Sequence, residues 1–203
     1  MSSLQRLWPA CGLLLASSSV FATTILVSTP TPIVSPGTPV IVRIGFSNLG
    51  DTAPQPLGAY DIILNYDPSL LILTNITRGD PVYGDQLDLS GYGALSYDDT
   101  STFGQARLLE VSLDDSWTLQ SGQRRHFGIA SLLFDTQGSG VSNLTLDINS
   151  LGDANGFPID SQTIGGSVTV GQSSVPEPAM FLLIAGGLAA FGLLRHYRRR
   201  RNS

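Results

Sequence analysis

Lysine is absent from this 203-residue chain, cysteine occurs once, histidine twice, and charged residues make up only 13%. Each scarcity closes off a class of chemistry. All eleven cations are arginines, and six lie at the ends: Arg6, then Arg195, Arg198, Arg199, Arg200 and Arg201. Between residues 23 and 175 only Arg43, Arg78, Arg107, Arg124 and Arg125 remain. They stand against fifteen of the sixteen acidic residues, a net charge of −10. An acid-rich body with no basic patch is a poor match for phosphate backbones, so nucleic acid is excluded as a partner. A His/Cys metal site fails on count. A nucleophilic triad would need His126, and no Gly-x-Ser-x-Gly accompanies it. The hydrophobic share of 42% excludes a disordered tail.

The two ends read as addresses. Residues 1–22 have a weakly positive start at Arg6, a short apolar stretch, and a small-residue cleavage site at Val20-Phe21-Ala22. They are expected to be a secretory signal peptide, the mature chain starting near Thr23. An N-terminal membrane anchor is the other reading, but the apolar stretch is short of the ~20 residues a span needs. Cys11 precedes the apolar run, the wrong order for a lipoprotein, and leaves with the signal. The exported part then holds no disulfide framework.

At the other end, Val175-Pro176-Glu177-Pro178 leads into residues 179–194, which carry no charge, and then into the arginine cluster. As a helix that apolar stretch spans about 24 Å against the ~30 Å hydrocarbon layer, a mismatch that thinning and snorkelling absorb. A transmembrane helix at 179–194 is therefore expected, with the arginines on the cytoplasmic side. The motif, apolar segment and Arg cluster together resemble the PEP-CTERM protein-sorting signal of Gram-negative bacteria. The resemblance implies that an integral-membrane exosortase-type protease processes the chain near Val175, Pro176, Glu177 and Pro178. The precursor would be held in the inner membrane with a periplasmic domain, and the product would reach the cell surface or medium. A plain tail anchor, with Pro-Glu-Pro only breaking the helix, is the alternative.

Residues 23–172 are expected to form one domain, and 173–203 the sorting signal. The body shows no helical period; short alternating runs separated by Gly, Pro, Asn and Asp recur instead. About eight strands are predicted, at 24–28, 40–46, 60–66, 70–77, 107–113, 127–134, 141–148 and 167–170, with an irregular stretch at 79–104. This is an all-β chain whose economical arrangement is an antiparallel two-sheet sandwich. The run Ala59-Tyr60-Asp61-Ile62-Ile63-Leu64-Asn65-Tyr66-Asp67-Pro68-Ser69-Leu70, with later strands at 129–134 and 144–148, resembles cohesin-type domains. That resemblance implies a jelly roll related to carbohydrate-binding modules.

Candidate chemistry is sparse. Asp98-Asp99 and Asp114-Asp115 are formal candidates for a carboxylate pair, but adjacent loop aspartates are ordinary turn formers. Arg124-Arg125-His126 reads either as a small anion site or as a solvated strand entry. Asp153, Asn155 and Asp160 present oxygen ligands that suit calcium, while Asn155-Gly156 is itself a hairpin signal requiring φ > 0 at both residues. No other cofactor is indicated. Tyr83, Tyr92, Tyr97 and Trp117 fall in or near the long connections; they either stack on a ligand or plug the ends of the sandwich. Asn75-Ile76-Thr77 and Asn143-Leu144-Thr145 match a glycosylation sequon and are read as strand residues. The expected function is a non-catalytic surface or matrix protein, a cohesin-like module engaging another protein. The alternative is a carbohydrate-binding module that holds exopolysaccharide.

Overall fold

Alternation drives the architecture. Val40, Val42, Ile44 and Phe46 are buried while Ile41, Arg43 and Gly45 face outward, as a half-buried strand requires. A computed structural model describes residues 23–47 and 55–171. In chain order these form β1 (Thr23–Ser28), β2 (Ile33–Val34), β3 (Val40–Ser47), β4 (Leu57–Asn65), β5 (Leu71–Arg78), β6 (Ala94–Asp99) and β7 (Gln105–Ser112). A short helix α1 (Ser116–Gly122) follows, then β8 (His126–Thr136), β9 (Gly140–Asp153), β10 (Ser161–Ile164) and β11 (Gly166–Val170).

Two sheets result, a five-stranded one in the order β10-β1-β3-β8-β5 and a six-stranded one in the order β2-β11-β9-β4-β7-β6. Their inner faces share one core, in which Phe46, Tyr60, Leu71, Leu108, Leu132 and Phe134 are buried. The all-β two-sheet sandwich expected from the sequence is observed. The pairing is not wholly antiparallel: β1 pairs with β10, and β2 with β11, in parallel. The reason is that both terminal segments change sheets midway. The first crosses at Pro30 and Pro32, and the last crosses at Gly165, where an added Cβ would lie 2.6 Å from the Leu144 carbonyl oxygen.

Three strands and a helix were not predicted. Strands β2 and β10 have two and four residues, too few to show a period. Strand β6 lies in the stretch expected to be irregular; it is an edge strand with no buried residue, and its alternation is limited to Leu95 and Tyr97, too short to set it apart from the Gly- and Asp-rich stretch around it. Helix α1 is capped by Asp115, whose side chain accepts from the Thr118 amide, and it buries only Leu119. One buried position in seven residues leaves no amphipathic stripe to read. Asn75 and Asn143 both lie in strands.

The domain has two ends. Gly171, where the chain leaves toward its tail, donates to the Val34 carbonyl, near the Gly37–Thr136 and Gln137–Leu70 backbone bonds. The opposite end holds the 79–93 loop, α1, residues 123–126 and the 153–160 turn, joined by bonds such as Arg124 N to Gln86 and Ala154 N to the Pro56 carbonyl. Residues 1–22 and the predicted transmembrane helix at 179–194 lie outside the described residues. Among the described residues no helix is long and apolar enough to cross a membrane.

Candidate interaction surfaces

The outward face of the six-stranded sheet is built by register. Leu95 and Tyr97 on β6 stand opposite Val111 and Leu109 on β7, and Ala59 and Asp61 on β4 continue the two rows. Leu95, Tyr97 and Val111 are 60%, 55% and 38% exposed, so an apolar stripe faces solvent at the sheet edge. Beside it Arg107 grips Asp61 with two hydrogen bonds, Nε to Oδ1 at 2.8 Å and Nη2 to Oδ2 at 2.6 Å. Asn149 adds a third bond to Asp61 at 3.1 Å. The Arg107 hydrogen bonds hold the Asp61 carboxyl below its ordinary range against the opposing effect of burial. An apolar strip bordered by a satisfied polar network has the anatomy of a protein-binding face.

The inward side of the same strands carries a buried polar cluster. Tyr60 on β4 donates its hydroxyl to Glu110 on β7 at 2.6 Å. Arg78 crosses from β5 of the other sheet to the Tyr60 hydroxyl at 2.7 Å, the Glu110 carboxylate at 3.2 Å and the Tyr97 carbonyl at 3.0 Å. It also pairs with Asp98. Arg78 thus clamps the two sheets where β5 and β6 are their edges, and holds the strand that presents Leu95 and Tyr97.

Burial, helped by nearby Asp85, pushes the Glu110 carboxyl from its ordinary 4.5 up to about 7, against the pull of Tyr60 and Arg78. Burial first, and then Glu110, raise the Tyr60 hydroxyl. Between pH 4.5 and 7 the folded chain therefore holds a proton on Glu110 that the unfolded chain has lost. Its contribution to stability is complete below that window and declines as pH rises through it. Glu110→Gln is expected to flatten the decline in thermal midpoint between pH 5 and 7. An unchanged pH profile would show that Glu110 does not titrate there.

The predicted candidates are scattered. Tyr83, Tyr92 and Trp117 belong to the end opposite Gly171, at 52%, 81% and 76% exposure, and Tyr97 lies on the sheet face. At such exposures these rings plug nothing. Among the described residues none stacks on another ring, and Tyr83 instead holds the Arg124 guanidinium 5.0 Å from its centroid. Asp98 is tied to Arg78, and Asp99 accepts from Ser101. Asp114 accepts from Leu89 while Asp115 caps α1, so neither aspartate pair forms a facing carboxylate dyad.

At the calcium candidate, Asp153 Oδ1 accepts from the amides of Asn155 at 2.8 Å and Phe157 at 2.9 Å. The turn has positive φ at Gly156 only, so Asn155 keeps an ordinary conformation where the hairpin signal asked for two such residues. Among the described residues no three His, Cys, Asp or Glu side chains gather as a metal site. The sequence reading missed Arg78, Glu110, Leu95 and Val111. The alternation of Leu95 and Tyr97 was the only available signal for the stripe, since the rest depends on cross-strand register.

Residues 174–200 match the PEP-CTERM protein-sorting motif. No curated protein sequence matches the chain. Among solved structures, a non-cellulosomal cohesin from the hyperthermophilic archaeon Archaeoglobus fulgidus aligns at 18% identity and TM-score 0.55, covering 76% of this chain and 94% of its own. The sixth cohesin of scaffoldin B from Acetivibrio cellulolyticus, in complex with a Cel5 dockerin, aligns at 15% identity and TM-score 0.56, covering 74% and 100%. A cohesin module of a family 33 glycoside hydrolase from Clostridium perfringens aligns at 14% and 0.55, covering 73% and 96%. At these identities the likeness is one of fold. The described domain has the cohesin fold, and the chain carries a PEP-CTERM protein-sorting motif behind it.

Proposed function

We propose that this chain is an exported, non-catalytic interaction module delivered to the cell surface or extracellular matrix. Residues 1–22 direct export, 23–172 form the binding domain, and 173–203 hold the precursor in the inner membrane. There an exosortase-type membrane protease processes it near Val175, Pro176, Glu177 and Pro178, with Arg195, Arg198, Arg199, Arg200 and Arg201 retained on the cytoplasmic side. The observation that carries the binding role is the exposed stripe of Leu95, Tyr97 and Val111 on the outward sheet face. A cohesin of the same fold is solved with a protein partner, which supports a protein ligand here. Catalysis is not part of the reading, because the paired aspartates are engaged as salt-bridge and turn partners.

The second reading, a module that holds exopolysaccharide, is favoured by the exposed rings of Tyr92 and Trp117. Calcium at Asp153, Asn155 and Asp160 would act only as a stabilising ion, and a calcium-dependent rise in melting temperature that Asp153→Asn abolishes would support it.

Envelope proteins of the producing cell, passed over the immobilised full chain, provide the test together with a glycan array. Leu95→Ala/Tyr97→Ala is expected to weaken protein capture by about tenfold or more, since exposed aromatic anchors dominate such interfaces. Trp117→Ala is expected to leave it unchanged. Saturable glycan binding that Trp117→Ala removes, with protein capture indifferent to Tyr97, would instead establish the second reading.

A further inference from the structure

The domain has five arginines among fifteen acidic residues, and three of those arginines line two adjoining depressions that share its one histidine. Two open depressions adjoin at the end opposite Gly171, sharing Tyr83 and His126 in their walls. One, of about 370 Å³, includes Arg43, and the other, of about 430 Å³, includes Arg124 and Arg125. The sequence shows no basic patch because these positions are up to 82 residues apart; the pairing of β3 with β8 sets the two depressions side by side. Among the described residues Asp80 is the only carboxylate lining either depression. Both its oxygens are occupied by backbone amides, Oδ1 by Val82 and Tyr83 and Oδ2 by Gly128. It pins the 80–83 loop to β8 and offsets one of the cations.

The floor and walls narrow the ligand. Gly45 and Gly128 face each other in register, which lets the 80–81 segment settle on the sheet: a Cβ at Gly128 would lie 3.2 Å from Asp80 Oδ2 and 3.6 Å from Pro81 Cδ. Pro81, Val82 and Tyr83 form a raised apolar wall, and Ser28 and Ser131 line the depression with hydroxyls. Arg124 and Arg125 are exposed, and stacking on Tyr83 orients the Arg124 fork.

From this arrangement we propose that the groove binds a carboxylate-bearing polysaccharide. A uronate-type residue places its carboxylate on the Arg124–Arg125 side and its ring against the Tyr83 wall. Guanidinium forks match carboxylates in two-point geometry, and the wall suits the apolar face of a sugar ring better than a bare phosphate. The acid-rich remainder of the domain repels such a polymer, which confines contact to this groove. The proposal deepens the exopolysaccharide reading but moves it away from Trp117, and it is independent of the partner stripe on the other sheet.

The experiment measures binding of the detergent-solubilised full chain to polygalacturonate, dextran and polyglutamate at low and high salt. Polygalacturonate is expected to bind, with affinity falling as salt rises and falling about tenfold or more in Arg124→Gln/Arg125→Gln. Dextran is expected not to bind. That double variant should keep the wild-type melting temperature and still capture its protein partner, so a failure of the groove and a failure of the stripe are distinguishable. Absence of polygalacturonate binding, or binding that both substitutions leave unchanged, overturns the proposal. Equal affinity for polyglutamate overturns the assignment to a sugar polymer.

Discussion

Alanine at Pro176, Glu177 and Pro178 together is expected to leave the protein as an uncleaved, membrane-held precursor, with its surface fraction reduced by about tenfold or more. Proline fixes φ and lacks an amide donor, and the residue before it is driven toward extended conformations. Two prolines within three residues therefore favour an extended peptide, the form the proposed protease would accept. Proline in a helix interior is about 3 kcal/mol less favourable than alanine. Its removal from position 176 alone shifts the balance between extended and helical peptide by roughly a hundredfold, at about 1.4 kcal/mol per tenfold. If the apolar segment at 179–194 is the helix expected from the sequence, it can then extend through the processing region. Cell fractionation and immunoblotting separate the precursor from the shorter product. Normal processing of the triple variant would reduce Pro-Glu-Pro to a helix breaker.

Removing the Arg78 side chain is the second large effect. Arg78→Ala strips Glu110 and the Tyr60 hydroxyl of their shared cation in the interior, where both residues are only 1% exposed. Above pH 7, where folded Glu110 is ionised, breaking one side of a buried ion pair costs about 3–5 kcal/mol. The low end applies, because Glu110 escapes part of the penalty by taking up a proton. Arg107→Ala removes an equally well-formed pair, yet the Arg107 side chain is 41% exposed and surface pairs contribute little. Urea unfolding should rank the two variants far apart. Near-equal midpoints would mean that Arg78 is not the clamp described here. Because Arg78 also holds Asp98 and the Tyr97 carbonyl, the alanine variant is expected to weaken partner capture too.

Much of the fold was legible because its strands have one wet face and one dry one. Strand β3 alternates from Val40 to Phe46, and β8 does so on either side of Ile129-Ala130, where two buried residues follow one another; the turn after β4 is closed by Asp67, which accepts from the Ser69 amide and hydroxyl. Tyr66 then packs edge-on against Phe134, 4.9 Å between centroids. What escaped were elements whose placement depends on neighbours. Strand β6 has no buried residue to set a period, and α1 contributes one apolar contact. The functional surfaces were harder still. Tyr97 was singled out among the rings in or near the long connections, but the pairing of Leu95 with Val111 that completes the stripe is fixed only by the β6–β7 register. Arg43 comes to line a depression adjoining that of Arg124 and Arg125 only once β3 lies on β8. Glu110 lies in a predicted strand, and nothing near it in the chain shows that Arg78 and Tyr60 close over it from two different sheets.

Intact-mass spectrometry of the protein recovered from the cell surface and medium tests the central claim most directly. The account predicts a chain that begins near Thr23 and ends between residues 173 and 178, lacking the apolar segment and the arginine cluster. A surface form that still ends at Ser203, or a full-length chain recovered from the cytosol, would contradict it.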